Sequence, residues 1–204
     1  MNISKRTFGN KMFWINKRLF DIFVCLLLIP LLFITSIIVL CINYFFNKGS
    51  LFFIQERMGK NCNVFSAIKF RSMAPVKEIT RKYDDPIETT RITSFGKILR
   101  KSRIDELPQI INVLKGEMSL IGPRPDYYAH ALEYLNNIEG YRERYAIRPG
   151  ITGLSQVRLG YAESLEAISN KTYIDNYYIK NIGYRNDLKI LVSTIFIVFS
   201  GLGT

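Results

Sequence analysis

The run IFVCLLLIPLLFITSIIVLCINYFF, from Ile22 to Phe46, decides the fold because it contains no charged side chain. At about 1.5 Å of rise per residue, it would form a helix roughly 37 Å long, more than the hydrocarbon core of a bilayer requires. The chain has 204 residues and a net charge of +11. The sequence therefore predicts a membrane element in residues 1–46 and one domain in residues 47–204, and it argues against an ordinary soluble protein.

Basic residues flank the apolar run on both sides, and this pattern favours a membrane hairpin. Lys and Arg mark cytoplasmic flanks, so a single straight span would place one basic flank on the wrong side. A re-entrant hairpin avoids this conflict, and Pro30 provides a break because it lacks an N–H and clashes with the carbonyl four residues earlier. The two arms would be Ile22–Ile29 and Leu31–Phe46. A spanning helix with a tolerated proline kink is the alternative.

Three other segments are predicted to lie at the membrane surface. Arg18 and Asp21, spaced i, i+3, could neutralise each other where a helix enters the bilayer. Leu188–Phe199 is apolar but too short to span, so it is expected to lie in the interface or to pack on the hairpin. Phe95–Lys101 combines an apolar stripe with a basic stripe, which suits an anionic membrane surface and equally suits a soluble helix with a solvated face.

Cysteine and histidine usage limits the available chemistry. Cys25, Cys41 and Cys62 are odd in number and lack the spacing of a zinc site or a disulfide framework, which suggests a reducing, cytoplasmic setting. The single His130 cannot build a histidine-rich metal site. Any transfer or hydrolytic chemistry must therefore use carboxylates, lysines or a bound ion.

The remainder of the chain predicts an α+β, mostly helical fold. Two short aromatic and β-branched runs between Leu51 and Met73 are separated by Gly59, Lys60 and Asn61, which indicates a small β-hairpin. From Ser94 onward the apolar spacing is mostly helical. The helix predicted just before Gly116 should end at this glycine, which acts as its C-cap. Its apolar stripe consists of Leu107, Ile110, Ile111 and Leu114.

Asp105 and Glu106 are the candidate catalytic residues. Pro108 cannot lie deep in a helix, so the helix must begin close before it, with both carboxylates in the opening turn. The helix dipole and nearby basic residues should keep both ionised. An ionised aspartate can attack phosphorus, while a neighbouring carboxylate can hold Mg²⁺. An Asp-Glu pair at a helix start is more commonly a favourable cap, so this pattern alone is not specific.

Two rigid loops carry arginines. Arg124 lies in GPRP between Pro123 and Pro125, which restrict the local backbone and could aim a guanidinium at a phosphate or a nucleotide. Arg148 precedes the Pro149-Gly150 pair of RPGITG and has a similar setting. A surface arginine in a proline-rich turn is the simpler alternative for each.

Several motifs occur together and in order: KRLFD (Lys17–Asp21), the proline-broken apolar run, KFRSM (Lys69–Met73), LRKSRIDELPQIINVLKGEMSLIGPRP (Leu99–Pro125) and RPGITGLSQV (Arg148–Val157). Together they resemble the bacterial sugar transferase family, the monotopic phosphoglycosyltransferases that begin the assembly of lipid-linked glycans. The resemblance extends from about Lys17 to the C-terminal apolar segment.

The resemblance implies transfer of a sugar 1-phosphate from a UDP-sugar to polyprenyl (undecaprenyl) phosphate, with release of UMP. The expected location is the bacterial inner membrane, with the catalytic domain on its cytoplasmic face. Mg²⁺ is the implied cofactor, and membrane lipid and downstream glycosyltransferases are the implied partners. The final glycan (capsule, O-antigen, exopolysaccharide or glycoprotein) and a homodimer are left open.

The resemblance also implies roles for individual residues. Asp105 is similar to the nucleophile that forms an aspartyl-phosphosugar intermediate, and Glu106 to its Mg²⁺ partner. The expected substrate-binding residues are Arg124, with Arg100, Lys69, Arg71, Pro123, Pro125 and Arg148. Asp175 and Asp187 are further contributors whose roles are left open.

The family's membrane hairpin implies that Arg18, Asp21 and Pro30 form the membrane anchor. Members commonly place a serine before the proline, where its hydroxyl can satisfy freed backbone carbonyls. Here that position is Ile29, so another group would have to cap the break.

Other functions remain as alternatives. A basic, membrane-anchored binding protein is compatible with a pI of about 9.6, but much of the charge lies beside the apolar run and no nucleic-acid motif is present, so no nucleic-acid partner is expected. A scaffold without catalysis is a second alternative. A transferase that delivers the sugar without its phosphate is a third, and it would release UDP instead of UMP.

Overall fold

The apolar segment forms one long helix, α1 (Lys11–Phe46), in a computed structural model that describes residues 11–46, 49–74, 89–159 and 164–200. Residues 1–10 of the predicted N-terminal segment lie outside the described residues. By length and composition, α1 is able to cross a membrane. Many of its large apolar side chains are exposed, among them Leu26, Leu27, Phe33, Ile34 and Leu40. Such a continuous apolar surface indicates contact with lipid.

The predicted division of this helix at Pro30 is wrong. Residues on both sides of Pro30 belong to α1. A proline inside a helix removes the backbone hydrogen bond to the carbonyl four residues earlier, here that of Leu26, and its ring crowds the same carbonyl. The hydroxyls of Thr35 and Ser36 bond back to carbonyls one turn earlier, at 2.8 and 2.7 Å, an arrangement that commonly bends helices. The proline is therefore accommodated within a single helix.

The predicted β-hairpin follows α1. Strands β1 (Phe52–Met58) and β2 (Val64–Phe70) are antiparallel, with Phe52 opposite Phe70 and Met58 opposite Val64. The connecting turn includes a short 3₁₀ segment, Lys60–Cys62. The prediction of a small hairpin in this region is confirmed.

Short helices form most of the remainder, which confirms the α+β, mostly helical class. They are α2 (Ser94–Lys101), α3 (Gln109–Lys115), α4 (Tyr128–Asn137), α5 (Leu154–Leu159), α6 (Leu165–Lys180) and α7 (Tyr184–Phe199). Strands β3 (Ser119–Ile121) and β4 (Gly150–Thr152) form a parallel pair. Further 3₁₀ turns are Thr89–Arg91, Ile104–Glu106 and Arg142–Ala146. Gly116, with φ of 84°, ends α3 as its spacing predicts.

The first half of α1 docks on the rest of the chain through polar contacts. Arg18 donates to the last carbonyls of α3, at 2.6 and 2.9 Å. Asp21 accepts a hydrogen bond from the Leu120 N–H of β3 at 3.1 Å. Lys17 pairs with Asp187 of α7 at 2.6 Å. Arg18 and Asp21 thus form hydrogen bonds with two different elements and not with each other, while their opposite charges remain close enough to attract.

Apolar packing also joins α1 to the domain. Cys25 is fully buried in the main core beside Phe65, Ile110 and Met118 of β2 and the α3–β3 region. Farther along α1, Val39 packs with residues of β2 and α2 in a second cluster. Both halves of α1 therefore contact the same domain. Helix α7 leaves a further apolar set exposed: Leu188, Val192, Ile195 and Phe196.

Candidate active site

Asp105 and Glu106 lie in the 3₁₀ turn Ile104–Glu106, just before α3. This corrects the prediction that they belong to the first turn of the helix, since α3 begins after Pro108. The preceding residue, Arg103, has a φ of 58° and lets the chain reverse between α2 and the turn. Both carboxylates are buried, with 7% and 5% of their surface exposed.

Three cations surround Glu106. Arg124 donates to both of its carboxylate oxygens, with Nη1 at 2.9 Å from Oε2 and Nη2 on Oε1. Lys69 donates to Oε1 at 2.8 Å, and the Arg103 guanidinium lies 3.9 Å away. Burial alone would raise the pKa of Glu106, but the charges and hydrogen bonds of Arg124 and Lys69 hold that pKa well below its usual range. Glu106 is therefore the anionic centre of a buried cationic site.

Asp105 behaves differently from its neighbour. Burial raises the pKa of Asp105, and the adjacent Glu106 charge raises it further, although Lys69, Arg124 and Arg100 oppose the shift. The sequence predicts that the helix dipole and nearby basic residues keep both carboxylates ionised, which would lower their pKa values. The pKa of Asp105 is instead raised. Among the described residues none donates a hydrogen bond to its carboxylate. A carboxylate with little solvation is a stronger base and nucleophile when it ionises.

Lys69 reaches the site from β2, where it lies opposite Phe53. Burial lowers the pKa of Lys69, while the Glu106 carboxylate raises it. Arg71, two residues later, lies outside the strand; its N–H bonds the Leu51 carbonyl at 3.0 Å and its guanidinium lies beside Gly49. The KFRSM motif thus supplies Lys69 to the carboxylate pair, whereas the structure does not bring Arg71 to Glu106.

The loop that carries Arg124 packs backbone to backbone on the RPGITG segment. The Gly122 N–H donates to the Thr152 carbonyl, and the Gly150 N–H donates to the Pro123 carbonyl, both at 2.9 Å. A side chain on Gly150 would collide with the Gly122 backbone, so glycine is needed for this close approach. The two proline-glycine loops that the sequence predicts separately form one unit.

Four consecutive carbonyls of this loop, from Pro123 to Asp126, each accept a hydrogen bond. Pro123 and Pro125 are buried. Because a proline has no backbone N–H, only its carbonyl can form a backbone hydrogen bond. The four donors are the Gly150 N–H, Arg144, Arg57 and the Met58 N–H, at distances from 2.9 to 3.1 Å. The backbone of Arg124 is therefore fixed, and its side chain extends from a rigid base toward Glu106.

A buried charge network behind the loop was not predicted. Arg144 is fully buried and donates to Asp126 at 2.6 Å and to Asp175 at 2.9 Å. Asp126 also accepts hydrogen bonds from Lys171 at 2.5 Å and from Tyr141 at 2.7 Å. These cations hold the pKa of Asp126 far below its usual range despite its burial. The sequence signal was slight: Asp126 directly follows GPRP, and Arg144 lies just upstream of RPGITG.

Of the other predicted residues, Arg148, Asp175 and Asp187 make their contacts away from the carboxylate pair, whereas Arg100 lies near it. Arg148 is exposed, and its Nε bonds the Gly116 carbonyl at 2.8 Å. It lines a cavity of about 170 Å³ at the start of α1, together with Trp14, Lys17, Arg18, Asp21 and Lys60. Asp175 supports Arg144, and Asp187 binds Lys17 and the Tyr178 hydroxyl, the latter at 2.6 Å. Arg100 lies close enough for its charge to lower the pKa of Asp105.

The predicted Mg²⁺ site at Glu106 can be tested against the donor set. Within the parts of the chain that the structure describes, no group of three or more His, Cys, Asp or Glu side chains is arranged to hold a metal ion. Both oxygens of Glu106 are bound to Arg124 and Lys69. In this arrangement Glu106 does not fit as a metal ligand, because the two cations would have to release it first. No reaction step is therefore assigned to a metal ion.

Comparison with known proteins gives consistent matches. The model of a family described as bacterial sugar transferase matches residues 12–201. A UDP-N-acetylgalactosamine-undecaprenyl-phosphate N-acetylgalactosaminephosphotransferase of Aeromonas hydrophila is 38% identical over 92% of this chain and 44% of its own length. A UDP-glucose:undecaprenyl-phosphate glucose-1-phosphate transferase of Klebsiella pneumoniae is 36% identical over 88% of this chain and 39% of its own. The exopolysaccharide production protein PSS of Rhizobium leguminosarum bv. phaseoli is 36% identical over 88% of this chain and 92% of its own.

The chain thus spans less than half of the first two relatives and nearly all of the third.

Proposed function

The chain belongs to the bacterial sugar transferase family, and from this premise we propose that it transfers a sugar 1-phosphate from a UDP-sugar to undecaprenyl phosphate and releases UMP. The names of two relatives describe transfers of this kind. The product, a polyprenyl diphosphate sugar, would be the substrate of downstream glycosyltransferases that build a capsule, O-antigen, exopolysaccharide or glycoprotein glycan.

The contrast between the two adjacent carboxylates carries the proposal. Glu106 is held by Arg124 and Lys69, whereas no described residue donates a hydrogen bond to Asp105. We assign Asp105 as the nucleophile. Its carboxylate oxygen would form a bond to the β-phosphorus of the UDP-sugar, while the bond from that phosphorus to the bridging oxygen breaks and UMP leaves with the electron pair.

The second half-reaction would return Asp105 to its starting state. An oxygen of undecaprenyl phosphate attacks the same phosphorus, and the bond between Asp105 and phosphorus breaks. The sugar phosphate is then joined to the lipid, and one site has served both substrates in turn, which predicts ping-pong kinetics.

Basic residues around the pair supply the charge that a diphosphate requires. Arg124 presents a planar guanidinium suited to bidentate phosphate binding, and Arg100 adds positive charge near Asp105. When the donor binds, Arg124 would exchange one partner, Glu106, for a phosphate, and Lys69 would keep Glu106 neutralised. Mg²⁺ remains part of the proposal as a companion of the donor diphosphate.

The docking of α1 supports a location on one face of the membrane. Arg18 in its first half and Val39 in its second half both contact the same domain. A straight span would carry one end of the helix to the opposite face, away from that domain. We therefore propose that α1 enters and leaves the inner membrane on the cytoplasmic side, as a continuous, bent helix, where undecaprenyl phosphate and a soluble UDP-sugar can both reach Asp105.

Nucleotide release tests the proposed reaction. Purified protein in nanodiscs would be incubated with Mg²⁺, undecaprenyl phosphate and a panel of UDP-sugars, and released UMP and UDP would be quantified. UMP release with one sugar, abolished by Asp105→Asn and retained by Glu56→Gln on the exposed face of β1, supports the proposal. UDP release would indicate transfer of the sugar without its phosphate. Full turnover by Asp105→Asn would refute the assignment of the nucleophile.

A second measurement tests the covalent intermediate. Without undecaprenyl phosphate, a UDP-sugar labelled in the sugar should label wild-type protein with about one equivalent and release a matching burst of UMP. No label should appear on Asp105→Asn. A catalytically inactive scaffold would give neither label nor nucleotide with any donor.

A further inference from the structure

Arg144 lies behind the proposed active site and reaches Arg124 through the backbone alone. Its Nη2 donates to the Arg124 carbonyl at 3.1 Å, and its remaining donors bind Asp126 and Asp175. From these contacts we infer that Arg144 is a positioning residue: it fixes the Arg124 backbone so that the Arg124 guanidinium is presented to Glu106 and to the donor diphosphate. This inference rests on the proposed function, because that function assigns the donor to Arg124.

The burial of Arg144 is consistent with a demanding geometric role. Its side chain is fully buried, and a buried guanidinium is costly unless its charge and its donors are satisfied. Asp126 and Asp175 together balance the charges of Arg144 and Lys171, and the rings of Tyr141 and Tyr145 lie 4.9 and 5.5 Å from the Arg144 guanidinium. The Arg124 carbonyl is a neutral acceptor and is not needed to balance the charge of Arg144. The bond to that carbonyl therefore adds a geometric constraint on the loop.

The chemistry of the contact distinguishes arginine from lysine. A guanidinium has five N–H donors in a planar fork, whereas an ammonium is a compact point charge on a flexible stem. Lysine at position 144 could keep an ion pair with Asp126. It could not also serve Asp175 and the Arg124 carbonyl in the same plane.

Arg57 provides a second clamp from another element. It donates to the Pro125 carbonyl at 3.0 Å and to Gln55 at 2.5 Å. Two arginines from separate parts of the fold thus hold neighbouring carbonyls of the loop. With the backbone held at both points, the Arg124 side chain can exchange Glu106 for a phosphate while the loop stays in place.

The first test is the substitution Arg144→Lys. Loss of one hydrogen bond to the loop should lower kcat/KM for the UDP-sugar about tenfold, mainly through a higher KM, since Arg124 would be presented less accurately to the donor. The matched control is Arg142→Lys, on the exposed side of the same 3₁₀ turn, which should change kcat/KM less than twofold. Equal effects of the two substitutions would count against the inference.

A double-mutant cycle separates positioning from a general structural role. In an Arg124→Ala background, Arg144→Lys should have almost no further effect on kcat/KM, because the group that it positions is gone. A tenfold loss in both backgrounds would overturn the inference. If Arg144→Lys does not fold, Arg57→Lys takes its place in the cycle with the same expectation.

Amide hydrogen exchange measures how firmly the loop around Arg124 is held, independently of enzymatic activity. Arg144→Lys should speed amide exchange at Arg124 and Asp126 and leave α6 unchanged, whereas Arg142→Lys should change neither. Unaltered exchange at Arg124 and Asp126 would overturn the inference even in an active enzyme. Wild-type protein that releases no UMP with any donor would refute the proposed function instead, with the exchange result still deciding whether Arg144 holds the loop.

Discussion

Arg124 and Glu106 are joined side by side through two hydrogen bonds, although 18 residues separate them in the chain. Glu106 is 5% exposed, so this pair is largely removed from water. Removal of one partner of such a pair leaves the other charge buried and uncompensated, which costs more than the pair itself contributes. The pair therefore links the stability of the fold to the groups that we propose for catalysis.

Glu106→Ala should destabilise the protein strongly, because Arg124 and Lys69 would face each other without their shared anion. The expected loss is about 3 kcal/mol, or roughly 10 °C in Tm for a chain of this size. Thermal unfolding in nanodiscs measures it, with the exposed residue Glu56→Ala as control. A shift below about 2 °C would show that the cations do not depend on Glu106.

The rate of UMP release should have an acid limb set by Asp105. Burial raises the pKa of this group from 3.8, and the nucleophile that we propose must be ionised, so activity should be present above the folded-state pKa and lost as pH falls through it. The limb should therefore lie above pH 3.8. Lys69 is the charge that most opposes the shift, so Lys69→Met should move the limb to higher pH.

A pH–rate profile of kcat/KM, measured for wild type, Lys69→Met and the exposed control Lys60→Met, checks this expectation. Movement of the limb to lower pH in Lys69→Met would contradict it.

Arg18→Met should weaken the docking of α1 without releasing the protein from the membrane. The substitution removes two hydrogen bonds to carbonyls of α3, and charge-assisted bonds of this kind contribute about 1.5–3 kcal/mol each at most. We expect a lower Tm and slower UMP release, with sedimentation in the membrane fraction unchanged. Lys11→Met, exposed at the start of α1, is the control and should leave all three properties unaltered.

Topology can be measured from the two ends of α1. If the helix enters and leaves on the cytoplasmic side, cysteines introduced as Lys11→Cys and Ser50→Cys should both react with an impermeant thiol reagent in inside-out vesicles and neither in intact spheroplasts. The unsubstituted protein controls for its native cysteines. Labelling of the two positions from opposite faces would establish a straight span.

Local patterns predicted much of the fold. The alternation and turn residues around Gly59 predicted the β-hairpin, and the stripe ending at Gly116 predicted α3, because each depends on residues close in sequence. Proximity to Pro108 placed the carboxylate pair close before α3, but not in the separate 3₁₀ turn that it occupies. At Pro30 the local pattern predicted a break, whereas the helix continues through the proline and both of its halves pack against the domain.

Long-range contacts explain what was missed. The Arg144 partners Asp126 and Asp175 lie 18 and 31 residues away along the chain, in segments with no periodic signal to connect them. The raised pKa of Asp105 also depends on burial by the assembled fold. Sequence identifies which charges are available, and the tertiary structure determines which of them meet.

Helix α3 separates the membrane helix α1 from the proposed catalytic carboxylates. Its C-terminal end is bound by Arg18 of the membrane helix, and its N-terminal end follows Asp105 and Glu106. Seven residues span roughly 10 Å. With Asp105 as the nucleophile that we propose, the depth of α1 in the bilayer sets the height of that carboxylate above the acyl chains. Insertion or deletion of one turn in α3 should therefore move Asp105 out of reach of the proposed lipid phosphate and abolish UMP release.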